Sequence, residues 1–436
     1  MKKPDINVAE LLKKLSFLKN NLGLLVPIII VVVGLLLFIP TRILSGQLRS
    51  TVNDNSVKMS QQISSLTRTL GELSPSEGAD EEITTLAADV NQIDAILAET
   101  VYRELLDYYV FSGVTDVSAG LFERFGKEYC RGVDEMLAEM GAGRRPDDAE
   151  LTAALQSATQ NDRDARRGSR AARVPGGTQV WSLLMMSDVE QRIFNEVCAG
   201  AARTAKVYAG PAEMAGYAYW DSWTFTDVNE SFKDCWYWQL GYWVLQDVAD
   251  TIEVMNRDSD NILDAPVKRI MSVSFVLKQG AGALSVGGSR AGKAGDRPSY
   301  VTSQTDGLTQ VCTGRLTDKA KNIDVLHFQV QVVIDSTQVL PFICELCRAK
   351  EHHFYGFDGS QPEQTFQHNQ ITVLETAMTP VEPLAVEHQA YAYGPSPTTV
   401  LNLICEYVLP RPLAYEEIKP EPVKKEFAEK TDNYGM

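Results

Sequence analysis

Basic residues are in deficit: 41 Lys and Arg face 57 Asp and Glu, for a formal net charge of −16. A polyphosphate backbone is a poor partner for such a chain, so no nucleic-acid role is expected. Cysteine is scarce as well. Seven of them, at 130, 198, 235, 312, 344, 347 and 405, are too few and too scattered for a disulfide framework. An odd number leaves at least one thiol unpaired or intermolecular, and most read as small buried apolar residues. Catalytic signatures are missing too. No G-x-S-x-G elbow accompanies the five histidines, and Gly292-Lys293 is followed by Ala294, where a phosphate loop needs Ser or Thr. The glycine-rich stretch 279–303 is therefore read as a loop between strands. No catalytic residue, metal ligand or cofactor is expected, and the chain is not read as an enzyme.

The one spacing with chemical content is Cys344-Glu345-Leu346-Cys347, followed by His352 and His353, with His368 and His388 in the same region. CxxC can be a redox pair or half a zinc site. It falls in the second half of a helix, where the dipole does not lower a thiol pKa, and no second CxxC completes a tetrahedral set. Structural thiols are the leading reading; metal and redox are the alternatives.

What the chain does have is an apolar run. From Leu22 to Ile39 no side chain is charged, and about 18 residues at ~1.5 Å each make ~27 Å of helix, close to a ~30 Å hydrocarbon core. The β-branched block 28–33 does not argue for a strand there, because a helix satisfies its own backbone groups. Lys2, Lys3, Lys13, Lys14 and Lys19 precede the run against Asp5 and Glu10. The positive-inside rule then places residues 1–21 in the cytoplasm, a single-pass transmembrane helix at 22–40 in the inner membrane, and the bulk of the chain in the periplasm. A cleaved signal peptide is the rival, but the run is longer than a usual h-region and 39–46 is a poor small-x-small site. Residues 1–20 also form a short amphipathic segment, suited to the inner leaflet or a cytoplasmic partner.

Beyond the run, apolar residues fall at steps of three and four from Leu48 to Leu73, with a stutter between Met59 and Ile63. After a break at 74–78 they resume at Ile83, Leu86, Val90, Ile93 and Leu97, and the helix is expected to continue through Val101, Leu105 and Tyr108. So narrow a stripe fits a coiled-coil seam, with another chain or between two segments folded back. A helical stalk is assigned to 41–111, its oligomerisation seam at Ile83, Leu86, Val90, Ile93 and Leu97.

Region 112–228 reads as helical with a mobile polar excursion at 142–178. Its first helix, 117–141, carries Leu121, Phe122, Phe125, Tyr129, Val133 and Leu137 on one face, and helical patterning returns at 181–207. From 229 the order is helix (229–256), strand (267–277), strand (324–335), helix (336–350), strand (371–382) and strand (398–409), with a polar insertion at 351–368. Two αββ units imply an α+β fold, a four-stranded ferredoxin-like sandwich over 229–409 with both helices on one face. The aromatic group Trp236, Tyr237, Trp238, Tyr242 and Trp243 reads as helix–sheet core; a ligand cavity is the alternative. The tail 410–436 is expected to be disordered.

A short cytoplasmic N-terminus, one membrane helix, a helical stalk and a terminal αββαββ domain together resemble the PilN/PilO-like inner-membrane proteins of type IV pilus and type II secretion assembly platforms. Ile6 and Asn7 match part of the segment by which PilN-like proteins dock a cytoplasmic actin-like partner. The pieces 313–315, 325–328, 391–395 and 403–406 look like a group of planctomycete-type membrane proteins with that domain. The long region 112–228 and the insertion 351–368 depart from compact PilO-like chains. The resemblance implies a non-enzymatic scaffold that self-associates or pairs with PilN- or PilM-like partners through its coiled coil and terminal domain. A membrane-anchored ligand-binding or sensor module is the alternative.

Overall fold

The computed structural model describes residues 95–111, 117–161, 172–173, 179–180, 186–277, 297–303, 315–317 and 323–426. The apolar run at 22–39, the heptads at 48–73, the seam residues Ile83, Leu86, Val90 and Ile93, the loop 279–296 and Cys312 lie outside the described residues.

The central element is a 29-residue helix. In chain order the helices are α1 (Tyr108–Phe111), α2 (Ala119–Glu139), α3 (Asp148–Asn161), α4 (Asp188–Arg203), α5 (Tyr217–Asp221), α6 (Val228–Asn256), α7 (Val339–Leu346) and α8 (Leu413–Ile418). The strands are β1 (Ala142–Gly143), β2 (Ala172–Arg173), β3 (Gln179–Val180), β4 (Val207–Tyr208), β5 (Val267–Ser274), β6 (Ile323–Asp335), β7 (Lys350–Phe354), β8 (Gln364–His368), β9 (Ile371–Pro380) and β10 (Thr398–Pro410). Helix α6 starts where Asp227 accepts hydrogen bonds from the backbone N–H groups of Asn229 and Glu230, at 2.9 and 3.1 Å. Its apolar residues go nearly all the way round, the signature of a helix covered on more than one side. One side meets α2: the Tyr129 ring lies 5.8 Å from Trp238 and 5.6 Å from Tyr242. A Cβ at Gly132 would come within 2.8 Å of the Tyr242 ring, so glycine is what lets the two helices approach. Trp236, Trp238 and Trp243 are each fully buried. Each such ring removes roughly 150–250 Å² from water, on the order of 4–6 kcal/mol apiece.

The other side of α6 meets the sheet. Strands β6 and β10 pair antiparallel over 13 residues without a slip. Their alternation sends Leu326, Phe328, Val330, Val332 and Ile334, with Leu401, Leu403, Cys405, Tyr407 and Leu409, into the helix-covered core. The sheet order is β1-β4-β5-β6-β10-β9; β1–β4 and β4–β5 are parallel and the rest antiparallel.

This corrects the four-stranded ferredoxin-like sandwich: the sheet has six strands and is mixed, because β1 and β4 from the region preceding 229 extend it at the β5 edge. Within region 112–228, Phe122, Phe125, Tyr129 and Trp220 belong to the same core as α6, while Leu151 and Leu155 of α3 pack with Phe194 and Cys198 of α4 in a smaller cluster. The insertion 351–368 is largely the hairpin β7–β8, and the helix expected over 336–350 is a 3₁₀ turn followed by the eight residues of α7. No described helix is long and apolar enough to cross a membrane. Even α6 carries Glu230, Lys233, Asp234, Asp247, Asp250 and Glu253. The tail is folded as far as 426: Tyr415 and Val423 are fully buried, and Tyr415 Oη donates to Asp324 at 3.1 Å.

Two glycines separate backbone need from open space. Gly394 has φ +84°, and a Cβ there would collide with the Leu263 carbonyl oxygen. Gly394→Ala should cost more than about 1 kcal/mol. Gly200 lies inside α4, and a Cβ added to it would meet no heavy atom within 4 Å; as alanine it should gain about 0.5–1 kcal/mol. Thermal unfolding of the two variants should move in opposite directions.

Candidate functional site: the buried charge cluster under the N-terminal strap

The stalk helix expected to run through Tyr108 stops early. Residues 95–99 are helical, the Thr100 hydroxyl donates to the Leu97 carbonyl at 2.7 Å, and 101–107 run without helix. Along this strap Val101, Arg103, Leu105 and Asp107 are buried while Glu104 is exposed. The burial period is two rather than 3.6, and two of its inward positions are charged, which hides it from a hydrophobicity count.

Arg103 is the pivot. Its guanidinium donates to Asp247 Oδ2 at 2.9 Å, to Tyr407 Oη, and, at 3.3 Å each, to the Trp243 carbonyl and Gln246 Oε1. Arg103 and Asp247 are each 2% exposed. Tyr407 Oη in turn donates to Asp247 Oδ2 at 3.1 Å. The strap backbone is held along its length. Gln370 donates to the Thr100 carbonyl, Trp243 Nε1 to the Glu104 carbonyl at 2.9 Å, and the Leu106 N–H to Gln239 Oε1 at 2.9 Å. Asp107 closes the far end with Arg124 at 2.7 Å. Hairpin β7–β8 covers the strap from outside: Tyr102 stacks on Phe354 at 4.7 Å and meets Phe366 edge-on at 5.2 Å.

Two histidines of that hairpin complete the cluster. His352 and His368 stack at 4.2 Å, and His352 Nε2 lies 3.9 Å from Asp247 Oδ1. Burial, then the Arg103 charge, keeps both neutral; the His368 pKa is pushed down to about 4. Lys350 is buried beside them with its Nζ donating to the carbonyls of Leu346 (3.0 Å) and Glu345 (3.3 Å) at the end of α7. Burial and the neighbouring Asp247 push the Asp250 carboxyl up to about 6. Chemically this is a clamp. Every charged group but Asp250 is engaged in holding two segments together, and the cluster lies beneath the strap and hairpin.

Of the residues singled out in the sequence, only Leu97 of the seam is described, 45% exposed beside Ile96 at 56%. Trp236, Trp238 and Trp243 fill the interface between helices and sheet rather than line a cleft. Cys344 is exposed and Cys347 half-buried at the end of α7; both are free thiols, and burial raises the Cys347 pKa. His352 and His368 join the strap cluster instead of that pair, and among the described residues no three His, Cys, Asp or Glu side chains are grouped to hold a metal. Sequence reasoning missed Arg103, Asp247 and Tyr407. The one available signal was a charged residue at each of two alternate positions between apolar ones. No protein-family model, curated protein or solved structure matches the chain.

Two predictions follow from the clamp's electrostatics. Arg103→Met leaves Asp247 buried without its cation and should cost about 3–5 kcal/mol, while adding Asp247→Leu should recover most of that. Urea denaturation tests both; an equal loss in the double variant would show that the pair is not the source. The second concerns pH. Burial lowers the pKa of His327, His352, His368 and His388 in the folded chain. The unfolded chain takes up those protons near pH ~6.5, so unfolding becomes easier as pH falls from there to about 4, by on the order of 3 kcal/mol for His368 alone. Asp250, between about 6 and 3.8, and the carboxyls of Glu104 and Glu213, which are raised as well, act oppositely, three groups against four, with the stacked histidines the most strongly shifted. Stability should therefore drop over this range, and His352→Phe should make the drop shallower; a flat profile would refute the neutral pair.

Proposed function

We propose that the chain is a non-enzymatic connector, held in a membrane by the apolar sequence 22–39 and presenting its folded domain to partners on the far side. The observation that carries this reading is the strap. The first described segment of the chain is built into the domain. It enters the core at Val101 and is held by Arg103, by backbone hydrogen bonds and by a covering hairpin. A load applied through that segment reaches α6, β10 and the hairpin directly. An enzyme on a tether has no need of such an attachment; a part that transmits position or force does. The order of parts in the sequence is that of PilO-like assembly-platform proteins, and a place in a pilus or secretion platform of the inner membrane is the specific form of the proposal. That form rests on the sequence layout and not on the terminal domain, whose sheet is larger than the family's expected sandwich.

Exposed Leu97, with exposed Ile96 beside it, continues the heptad positions Ile83, Leu86, Val90 and Ile93, and association runs through that seam. Full-length protein expressed in a Gram-negative host should fractionate with the inner membrane, resist carbonate extraction and expose its domain to protease only after the outer membrane is opened. Ile93→Asp with Leu97→Asp should abolish self- or partner association, read by in-cell cross-linking, while leaving the thermal unfolding of the domain unchanged. Recovery in the soluble fraction, or unchanged cross-linking, would refute the connector.

A further inference from the structure

On the far edge of the sheet, a cleft of about 590 Å³ opens where β1 and β4 end. Parallel strands that turn away to successive helices leave such a crevice beyond their carboxyl ends. Here β1 leads through Arg144 and Arg145 towards α3, and β4 leads through Ala209 and Gly210 into the 3₁₀ turn Pro211–Glu213. Arg269 of β5 is held in place on this cleft. Its guanidinium lies 3.8 Å from the Tyr391 ring centre and donates to the Glu387 carbonyl at 2.6 Å and to Tyr393 Oη at 3.4 Å. Those contacts use one terminal nitrogen and one face, and they fix the fork's orientation.

The cleft brings opposite charges to one spot. The position a Cβ would occupy on Gly210 is 3.2 Å from Glu213 Oε2 and 3.9 Å from Arg144 Nε. Glycine thus leaves an opening flanked by a carboxylate and a guanidinium. Glu213 is largely withdrawn from solvent, which raises its pKa, and it feels Arg269 and Arg144 across the cleft. The cleft is lined by three guanidinium groups, of Arg144, Arg145 and Arg269, and three carboxylates, of Asp147, Glu213 and Asp221, so it offers partners to an added carboxylate and to an added cation alike. Tyr208, Tyr217 and Tyr391 supply apolar wall between them.

We infer that this cleft binds a small zwitterion, an α-amino acid, with its carboxylate towards Arg144 and Arg269 and its ammonium towards Glu213. The cleft admits such a molecule with its side chain against the tyrosines and space to spare. The site lies on β1, β4 and β5, its residues are not those of the strap clamp, and the inference does not depend on the connector reading.

The test is isothermal titration and thermal shift of the purified full-length protein against individual α-amino acids, with propionate and ethylamine as single-charge controls. At least one amino acid should bind and raise the unfolding temperature in a concentration-dependent way, and the single-charge controls should bind at least roughly ten-fold more weakly. Gly210→Ala, which fills the opening, and Glu213→Gln, which removes the anion, should each weaken binding by roughly ten-fold or more while the unliganded unfolding temperature stays within a few degrees. Absence of binding by every amino acid, binding of propionate as tight as that of the amino acid, or unchanged affinity in both variants would each overturn the assignment. Membrane fractionation and cross-linking of the wild-type protein read the connector separately, so failure of one is distinguishable from failure of the other.

Discussion

A buried carboxylate with no cation is one of the most expensive things a core can hold, and α6 carries one at Asp247. The middle of the long helix is largely buried, Gln239 and Thr251 included, so Asp247 enters the interior with it. Arg103 answers that demand from 144 residues away. The pair need not add net stability over two apolar residues of the same size. What it does is select: only a strap placed with Arg103 against Trp243, Gln246 and Tyr407 leaves no charge stranded. The clamp is therefore better understood as a device for register than as a source of stability.

The same solution recurs around the domain. Asp324 at the start of β6 is fully buried and meets Lys419, 2% exposed, at 2.8 Å, which pins the C-terminal segment beside Tyr415. Glu406 of β10, also fully buried, meets Arg315 at 2.6 Å. Asp234 of α6 meets Arg297 at 2.6 Å. In each case a core element supplies the acid, and the base lies outside the described helices and strands, Lys419 directly after α8. Peripheral chain is thus fastened by charge, in the C-terminal segment alongside the burial of Tyr415 and Val423. An overall acidic composition is compatible with this, because the fastening carboxylates are the interior ones.

How much was legible in the sequence depends on which force placed each segment. Helix α2 announces itself by apolar residues that repeat at 3.6, while α6, β6 and β10 announce themselves by long, dominantly apolar stretches buried on more than one side. The strap did not. Val101, Leu105 and Tyr108 continue a helical spacing, and the true period-two pattern contains Arg103 and Asp107, which count as polar. Strands β1 and β4 are two residues each and carry no periodicity at all; they form because Val207 and Tyr208 reach Ala142, Gly143 and Arg269 once the helices between them have packed. The tail after 410, rich in Pro, Glu and Lys, has a composition that by itself argues against folding, and it folds as far as 426 because Tyr415, Ile418 and Val423 join the core and Asp324 gives Lys419 a partner. The segments that escaped the sequence were positioned by charge, by tertiary pairing or by burial of a few scattered apolar residues.

The strap's position also sets a timetable for synthesis. Arg103 leaves the ribosome early, yet its partners lie on α6 and on β10, the last of them 304 residues later. At about 5–20 residues per second that interval is roughly 15–60 s. Throughout it Arg103 and its flanking apolar residues have no place to go, and the hairpin that covers them is made only after α6 is complete. The domain closes late, around a segment that was made first. Its folding is governed by that long-range closure, and whatever shields the strap during the wait shares in deciding how much of the chain reaches its final form.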